Sequence, residues 1–252
     1  MDTDRFSATP PKSLLRPKPP IRWAGGKYRL TSRLLEQLPP QFNRLIEPFA
    51  GSAALFFAIQ PREAVLADIN SELINFYETL AFKTEELIEQ LMGVKASKSL
   101  YYRFRNAAPK TRLGRAIKFS YLNRLCWNGL YRVNSNGTFN VPMGDRLPKT
   151  LWHQEHLTEC ASALRRASFR VGDFEDTFED CRKGDFVYLG PPYPKGAKEG
   201  LGFNKYHFEP FSIDDHERVA DFMRRLDKKG VKIVCRQSQM DKTGFDLRDG
   251  LS

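Results

Sequence analysis

The chain has 252 residues, 41% of them hydrophobic, enough to bury one large core or one domain with an insertion. It has no apolar run of about 18 residues, and its start, MDTDRFSATPPKS, lacks the apolar stretch of a secretory signal; both argue against a membrane span and favour a cytoplasmic protein. The formal net charge of +10 points to a polyanionic partner, while four widely spaced cysteines (Cys126, Cys160, Cys181, Cys235), with no CxxC pair or nearby histidine, argue for buried thiols and against a zinc site.

Residues 1–20 hold five prolines and little apolar periodicity, the pattern of a flexible arm. The folded part is expected to start near Ile21 with IRWAGGKYRL, where Gly25 and Gly26 permit a tight turn, Lys27 offers a cation, and Leu30, Leu34, Leu35 and Leu38 mark a helix. Such a turn at a helix start can hold a carboxylate or phosphate through backbone N–H groups and the helix dipole, although turns of this kind are common. Residues 44–60, RLIEPFAGSAALFFAIQ, predict a short strand, a turn from Pro48 to Gly51 and an apolar helix from about Ser52. This is the strand, glycine turn and helix of a nucleotide-binding unit, with one glycine in place of GxGxxG. A second strand, AVLAD, ends at Asp68, where a carboxylate would bind a ribose hydroxyl pair; alternatively, Asp68 or Asn70 caps the helix SELINFYETLAF.

From Lys95 to Arg170 there are 15 Lys/Arg against 3 Asp/Glu, so the positive charge is concentrated in this window. Aromatic residues are interleaved with it (Tyr101, Tyr102, Phe104, Phe119, Tyr121, Trp127, Tyr131), and cations for phosphates plus flat rings for bases are what nucleic-acid contact needs. A solvated helical face accounts for the charge too, but less readily for residues 123–146. There Asn136-Gly137, flanked by YRVNS and TFNVP, signals a β-hairpin, and residues such as Arg124, Arg132 and Asn140 are of the types that read base edges in a major groove.

The sheet is expected to resume with SFRVGDF, which places Asp173 and Phe174 at a strand tip, suited to a hydrogen bond and a stacking surface for an adenine ring. Phe186 to Leu189 then read as a strand buried on both faces, broken at Gly190 by Pro191-Pro192-Tyr193. Ligands sit beyond the carboxyl ends of strands in open α/β sheets, so this stiff corner with its aromatic ring is placed to grip a planar group. A strand terminator alone would also explain it. Residues 195–211 read as a glycine-rich lid, Ser212 to Leu226 as a capped amphipathic helix, and VKIVC as a last strand.

In order, WAGGK, EPFAGSA, ADIN, YLNRLCWNGLYRVNSNGTFNVPMG, GDFVYLGPPY and the region from Phe203 to Phe208 resemble the Dam-like DNA adenine N6-methyltransferases, from about Ile21 to Val234. The resemblance implies a Rossmann-like α/β methyltransferase sheet formed by 21–92 and 165–252. It also implies a mostly helical target-recognition insertion, 93–164, that carries the hairpin. It implies S-adenosylmethionine as cofactor, contacted by Trp23, Lys27, Phe49, Gly51, Asp68, Asp173 and Phe174, and double-stranded DNA as partner, with no metal, membrane or obligate protein partner. In the insertion it puts Trp127 at an intercalating aromatic and Asn128 at a residue that pairs with the base left unpartnered. Leu130 and Arg132 fall at base-reading positions, and Pro142 also matches. The target would be GATC-like, with its outer base left open because Asp145 stands where the family has a basic reader and Arg146 comes one place late.

The catalytic motif of the family is Asp-Pro-Pro-Tyr, and this chain has Gly190, Pro191, Pro192 and Tyr193. Glycine offers no side-chain acceptor for the adenine amino group, so weak or absent methylation is expected. Asp185 is too far up the strand to substitute, whereas Glu199 in the lid could reach. The family also continues beyond the VKIVC strand with a further loop and strands, and without them a sheet edge would be left open.

Overall fold

The computed structural model describes residues 16–23, 31–192 and 211–235. Lys27, Tyr193, Glu199, the expected lid up to residue 210 and everything after Cys235 lie outside them. The centre is a parallel sheet of five strands: β1 (Leu45–Glu47), β2 (Ala64–Asp68), β3 (Ala167–Val171), β4 (Phe186–Leu189) and β5 (Lys232–Cys235), in the order β3-β2-β1-β4-β5. β1 and β4 are buried along their whole length, which is why they read as unbroken apolar runs rather than alternating ones. Successive residues still serve opposite faces. Leu45, Phe186 and Tyr188 join one apolar cluster, and Ile46, Val187 and Leu189 the other.

On the first face pack α2 (Ala54–Ile59), α3 (Ser71–Phe82) and α4 (Thr84–Met92), and on the second α8 (Ile213–Lys228). Asn70 caps α3, its side chain accepting from the Glu72 and Leu73 N–H groups, which frees Asp68 for another role. Ser212 and Asp215 form a capping box at the start of α8, as the sequence suggested. The helix expected from Ser52 begins at Ala54, because Ala53 takes a left-handed conformation with φ 52°. A short α1 (Thr31–Glu36) precedes β1.

Between β2 and β3 the insertion contributes α5 (Lys98–Asn106), α6 (Arg112–Leu125) and α7 (Gln154–Leu164). Both α6 and α7 lie on α3, and Tyr101, Phe119, Leu122, Val141 and Trp152 share one cluster with Leu45 and Phe186. The insertion therefore has no separate core.

Two expectations need correction. Residues 16–20, assigned to a free arm, pack on α7: Pro17 and Pro20 are buried, and the Lys18 carbonyl accepts from Cys160 Sγ. Proline rings are apolar and lack the N–H that would otherwise need a partner, so they bury at little cost. The hairpin around Asn136-Gly137 has no regular strands, only isolated antiparallel bridges, Val133 with Phe139 and Cys126 with Met143. Of Asn136 and Gly137, the second alone has positive φ (71°), so the turn is not the two-residue type that Asn-Gly favours. The Gly137 N–H donates to the Asn134 carbonyl and the Asn134 N–H to the Thr138 carbonyl, making a three-residue loop closed by a glycine bulge. Among the described residues, no helix is long and apolar enough to cross a membrane.

Candidate active site and nucleic-acid interface

β1 and β4 are neighbours, yet the chain leaves β1 towards β2 and β4 towards β5. Their carboxyl ends therefore flank the crevice where a parallel α/β sheet binds ligands. From β1 the chain enters Pro48-Phe49-Ala50-Gly51. Gly51 has φ +48°, and a Cβ there would stand 2.9 Å from Trp23 Cδ1, so the indole rests against bare backbone. Its N–H donates to Asp68 Oδ2 (2.9 Å) and its carbonyl accepts from the Tyr77 hydroxyl (2.6 Å). The Asn70 N–H donates to Asp68 Oδ1 (3.0 Å). Burial pushes the Asp68 carboxyl up to about 6, opposed by those two N–H donors. Each of its oxygens keeps a second acceptor position. The structure brings the sequence-predicted Trp23, Gly51 and Asp68 together, and a carboxylate with spare acceptors beside an indole and a glycine is chemistry that suits a nucleoside.

At the tip of β3, Asp173 caps a 3-10 turn, Phe174–Phe178, and its Oδ1 accepts from the Glu175 N–H (3.0 Å) and Arg218 Nη2 (2.6 Å). Phe174 is buried. It is 3% exposed, stacked on Phe49 at 5.1 Å, with the Arg218 guanidinium 4.8 Å from its ring centre and Phe222 edge-on. Its ring is thus packed among Phe49, Phe222 and Arg218. The apolar cluster under α8 draws it in, and the half-buried Phe49 caps it on the crevice side of β1.

At the end of β4, Pro191 is buried, and Gly190 and Pro192 are half-buried. Asp185 sits at the opposite end, buried and bound by Arg44 through Nε (3.3 Å) and Nη2 (2.6 Å), so it is committed elsewhere. Sequence reasoning missed two groups here. Glu47, 1% exposed at the end of β1, accepts from the Phe56 N–H at the start of α2 (2.8 Å), and burial pushes its carboxyl up to about 8. Tyr77 fixes the glycine turn from α3. Glu47 was visible as a lone charge inside LIEP; Tyr77 left no such mark.

The basic insertion meets the strip that carries Trp23, through Tyr131 stacked on the indole (5.8 Å). Trp127 (39% exposed) and Asn128, with φ 52°, project from a 3-10 turn, Trp127–Gly129, that follows α6. The Trp127 N–H donates to the carbonyl of exposed Pro142 (3.0 Å), so three of the predicted DNA-contacting residues come together. Arg132 Nε donates to Asn140 Oδ1 (2.7 Å), joining two more. Arg124 is half-buried, and burial lowers its pKa. Leu130 is 5% exposed and belongs to the apolar core, where burial of its side chain anchors the loop. The Asn123 side chain, unnoticed in the sequence, clamps both backbone groups of Arg22 (3.0 and 2.7 Å).

Comparison with known proteins fits this arrangement. The family model described as D12 class N6 adenine-specific DNA methyltransferase matches residues 23–246. The chain is 36% identical over 237 residues to the Type II methyltransferase M1.LlaDCHI of Lactococcus lactis subsp. cremoris, covering 90% of this chain and 83% of the relative. Over 244 residues it is 34% identical to the Type II methyltransferase M.MjaIII of Methanocaldococcus jannaschii, covering 88% and 84%. With the DNA adenine methylase of Escherichia coli it shares 31% over 221 residues, covering 85% and 78%. A strand-end crevice built from Trp23, Gly51 and Asp68, a basic insertion beside it and a match across nearly the whole length converge: the chain belongs to the D12 class N6 adenine-specific DNA methyltransferase family.

Proposed function

We propose that this DNA adenine N6-methyltransferase takes its methyl group from S-adenosylmethionine, acts on an adenine turned out of duplex DNA, and is slowed by Gly190. The observation that carries the reading is the crevice itself, where Trp23 lies against Gly51 and Gly51 is tied to Asp68. Asp68 would accept from the ribose hydroxyls, Trp23 and Phe49 would flank the nucleoside, and Asp173 would accept from its adenine. Lys27, by family resemblance, would add a cation. S-adenosylmethionine, when bound, supplies an electrophilic methyl group on a sulfonium.

The target amino group is paired and out of reach inside a duplex, so the base must leave the stack. Tyr193 would stack on the everted adenine, and the Pro191 carbonyl would accept from its amino group and so aim the nitrogen lone pair. Trp127 would fill the space left in the duplex, and Asn128 would pair with the orphaned base. Arg124, Arg132, Asn140 and Pro142 would hold the duplex around them, with Leu130 anchoring the loop from inside.

Positioning and electrostatics carry such a transfer, and loss of one oriented acceptor costs on the order of 10²-fold to 10³-fold in rate. The test is transfer of labelled methyl groups to duplex DNA by the chain and by Gly190→Asp. The variant is expected to be faster by about that factor. Equal rates would remove the role assigned to Gly190. The absence of a carboxylate at Gly190 favours a second reading, a DNA-binding protein without turnover. Duplex binding with no transfer by either protein would establish it.

A further inference from the structure

Tyr131 belongs to the recognition loop by sequence and to the cofactor crevice by contact. Its ring stacks on Trp23 (5.8 Å between centroids, 21° between planes) and is wedged between Phe119 (5.6 Å) and Phe139 (5.5 Å). On one side, therefore, Tyr131 packs on the indole that covers Gly51, whose N–H is held by Asp68.

On the other side it follows Leu130, which is fixed in the core, and precedes Arg132, which is bound to Asn140. The link is stiff. Asn123 clamps both backbone groups of Arg22, and a Cβ on Gly129 (φ +65°) would stand 2.5 Å from Arg22 Cβ, so the strip carrying Trp23 is seated directly on the recognition loop. The projecting part of that loop is held by the backbone N–H of Trp127, which donates to the Pro142 carbonyl (3.0 Å), and by that of Leu130, which donates to the Trp127 carbonyl (3.1 Å). Asn128 holds a left-handed conformation, which carries a strain that neighbouring contacts must offset.

We infer that the Tyr131–Trp23 stack couples the two ligand sites, so that ordering of Trp23 by the cofactor presets the loop for duplex, and engagement of duplex tightens the cofactor site. The inference rests on the proposed function. It makes Tyr131 a positioning residue that need touch neither ligand. Coupling of this kind is reciprocal, and a factor of about 5-fold to 150-fold in affinity is typical.

The test is titration of the full chain with sinefungin, an unreactive analogue of the cofactor, with and without a saturating short duplex containing GATC. In the wild type the duplex is expected to tighten sinefungin binding by about 5-fold or more. In Tyr131→Leu the factor should fall close to one, while sinefungin alone and duplex alone still bind within about threefold of wild type. Tyr131→Phe, which keeps the ring, should keep the factor. A merely structural role for Tyr131 would weaken both ligands together and leave the factor intact, and that result overturns the inference. So does a factor of one in the wild type, which needs no variant to fold, or loss of the factor in Tyr131→Phe. A wild-type chain that binds neither sinefungin nor duplex would instead sink the proposed function, which is a distinguishable failure.

Discussion

Gly51 illustrates how one missing side chain can define a site. Its φ of +48° is disfavoured for any other residue, and a methyl group there would meet the Trp23 indole at 2.9 Å. Gly51→Ala must therefore displace the indole or the turn, and a combined cost of about 1.4 kcal/mol corresponds to a tenfold loss of cofactor-analogue affinity. Calorimetric titration measures this, and unchanged affinity would show that the indole does not cover the ligand. Glu47 is a different kind of residue-scale feature. Because burial raises its carboxyl to about 8 in the folded chain, that chain holds a proton which the unfolded chain releases near the ordinary carboxylate value. The associated stability is complete below that ordinary value and is lost as pH rises towards about 8, with a slope of up to about 1.4 kcal/mol per pH unit. Glu47→Gln is expected to flatten the dependence of the melting temperature on pH over this range; parallel curves for the two proteins would refute the assignment.

At the scale of elements, the sheet was legible because each strand is a short β-rich run ending in a turn. β2 and β4 fall where AVLAD and Phe186 to Leu189 put them. Helix starts were legible through capping chemistry, and the choice between Asp68 and Asn70 as the cap of α3 needed coordinates because both residue types cap well. Less was legible in residues 123–146. Asn-Gly pointed to a hairpin but not to its loop, which Asn134 shapes: its side chain accepts from the Asn136 and Thr138 N–H groups. The candidate site was legible in so far as Asp68 and Asp173 were expected at strand tips and Gly51 in the turn after β1, where the structure has them. Its supports Glu47, Tyr77 and Asn123 were not, since their partners are chosen by the fold rather than by spacing. In the same way, Phe174 and Leu130 looked like contact residues in the sequence and are core in the structure. For the loop as a unit, Arg132→Ala should cost about 1–3 kcal/mol of duplex affinity and relax one base preference, measured on a panel of single-base target variants. Uniform weakening across the panel would make Arg132 a phosphate contact.

Across the whole molecule, the window from Lys95 to Arg170 carries 15 Lys/Arg against 3 Asp/Glu, while its helices share a core with the sheet. Charge and crevice are thereby held in one body, so duplex affinity should depend strongly on salt, falling on a log–log plot with a slope of about −0.9 per phosphate neutralised. A slope flatter than about −2 in filter-binding or anisotropy measurements would mean that the cationic insertion grips few phosphates. The position of the insertion has a further consequence, for biosynthesis. β2 and β3 are adjacent, with Ala64 paired to Ala167, although the helices of the insertion lie between them in the chain. A ribosome must deliver all of those helices before β2 can acquire its outer neighbour. Folding of the nascent chain is therefore ordered, helices first and edge strand later, and a polypeptide released before Val171 would present a bare strand border open to self-association.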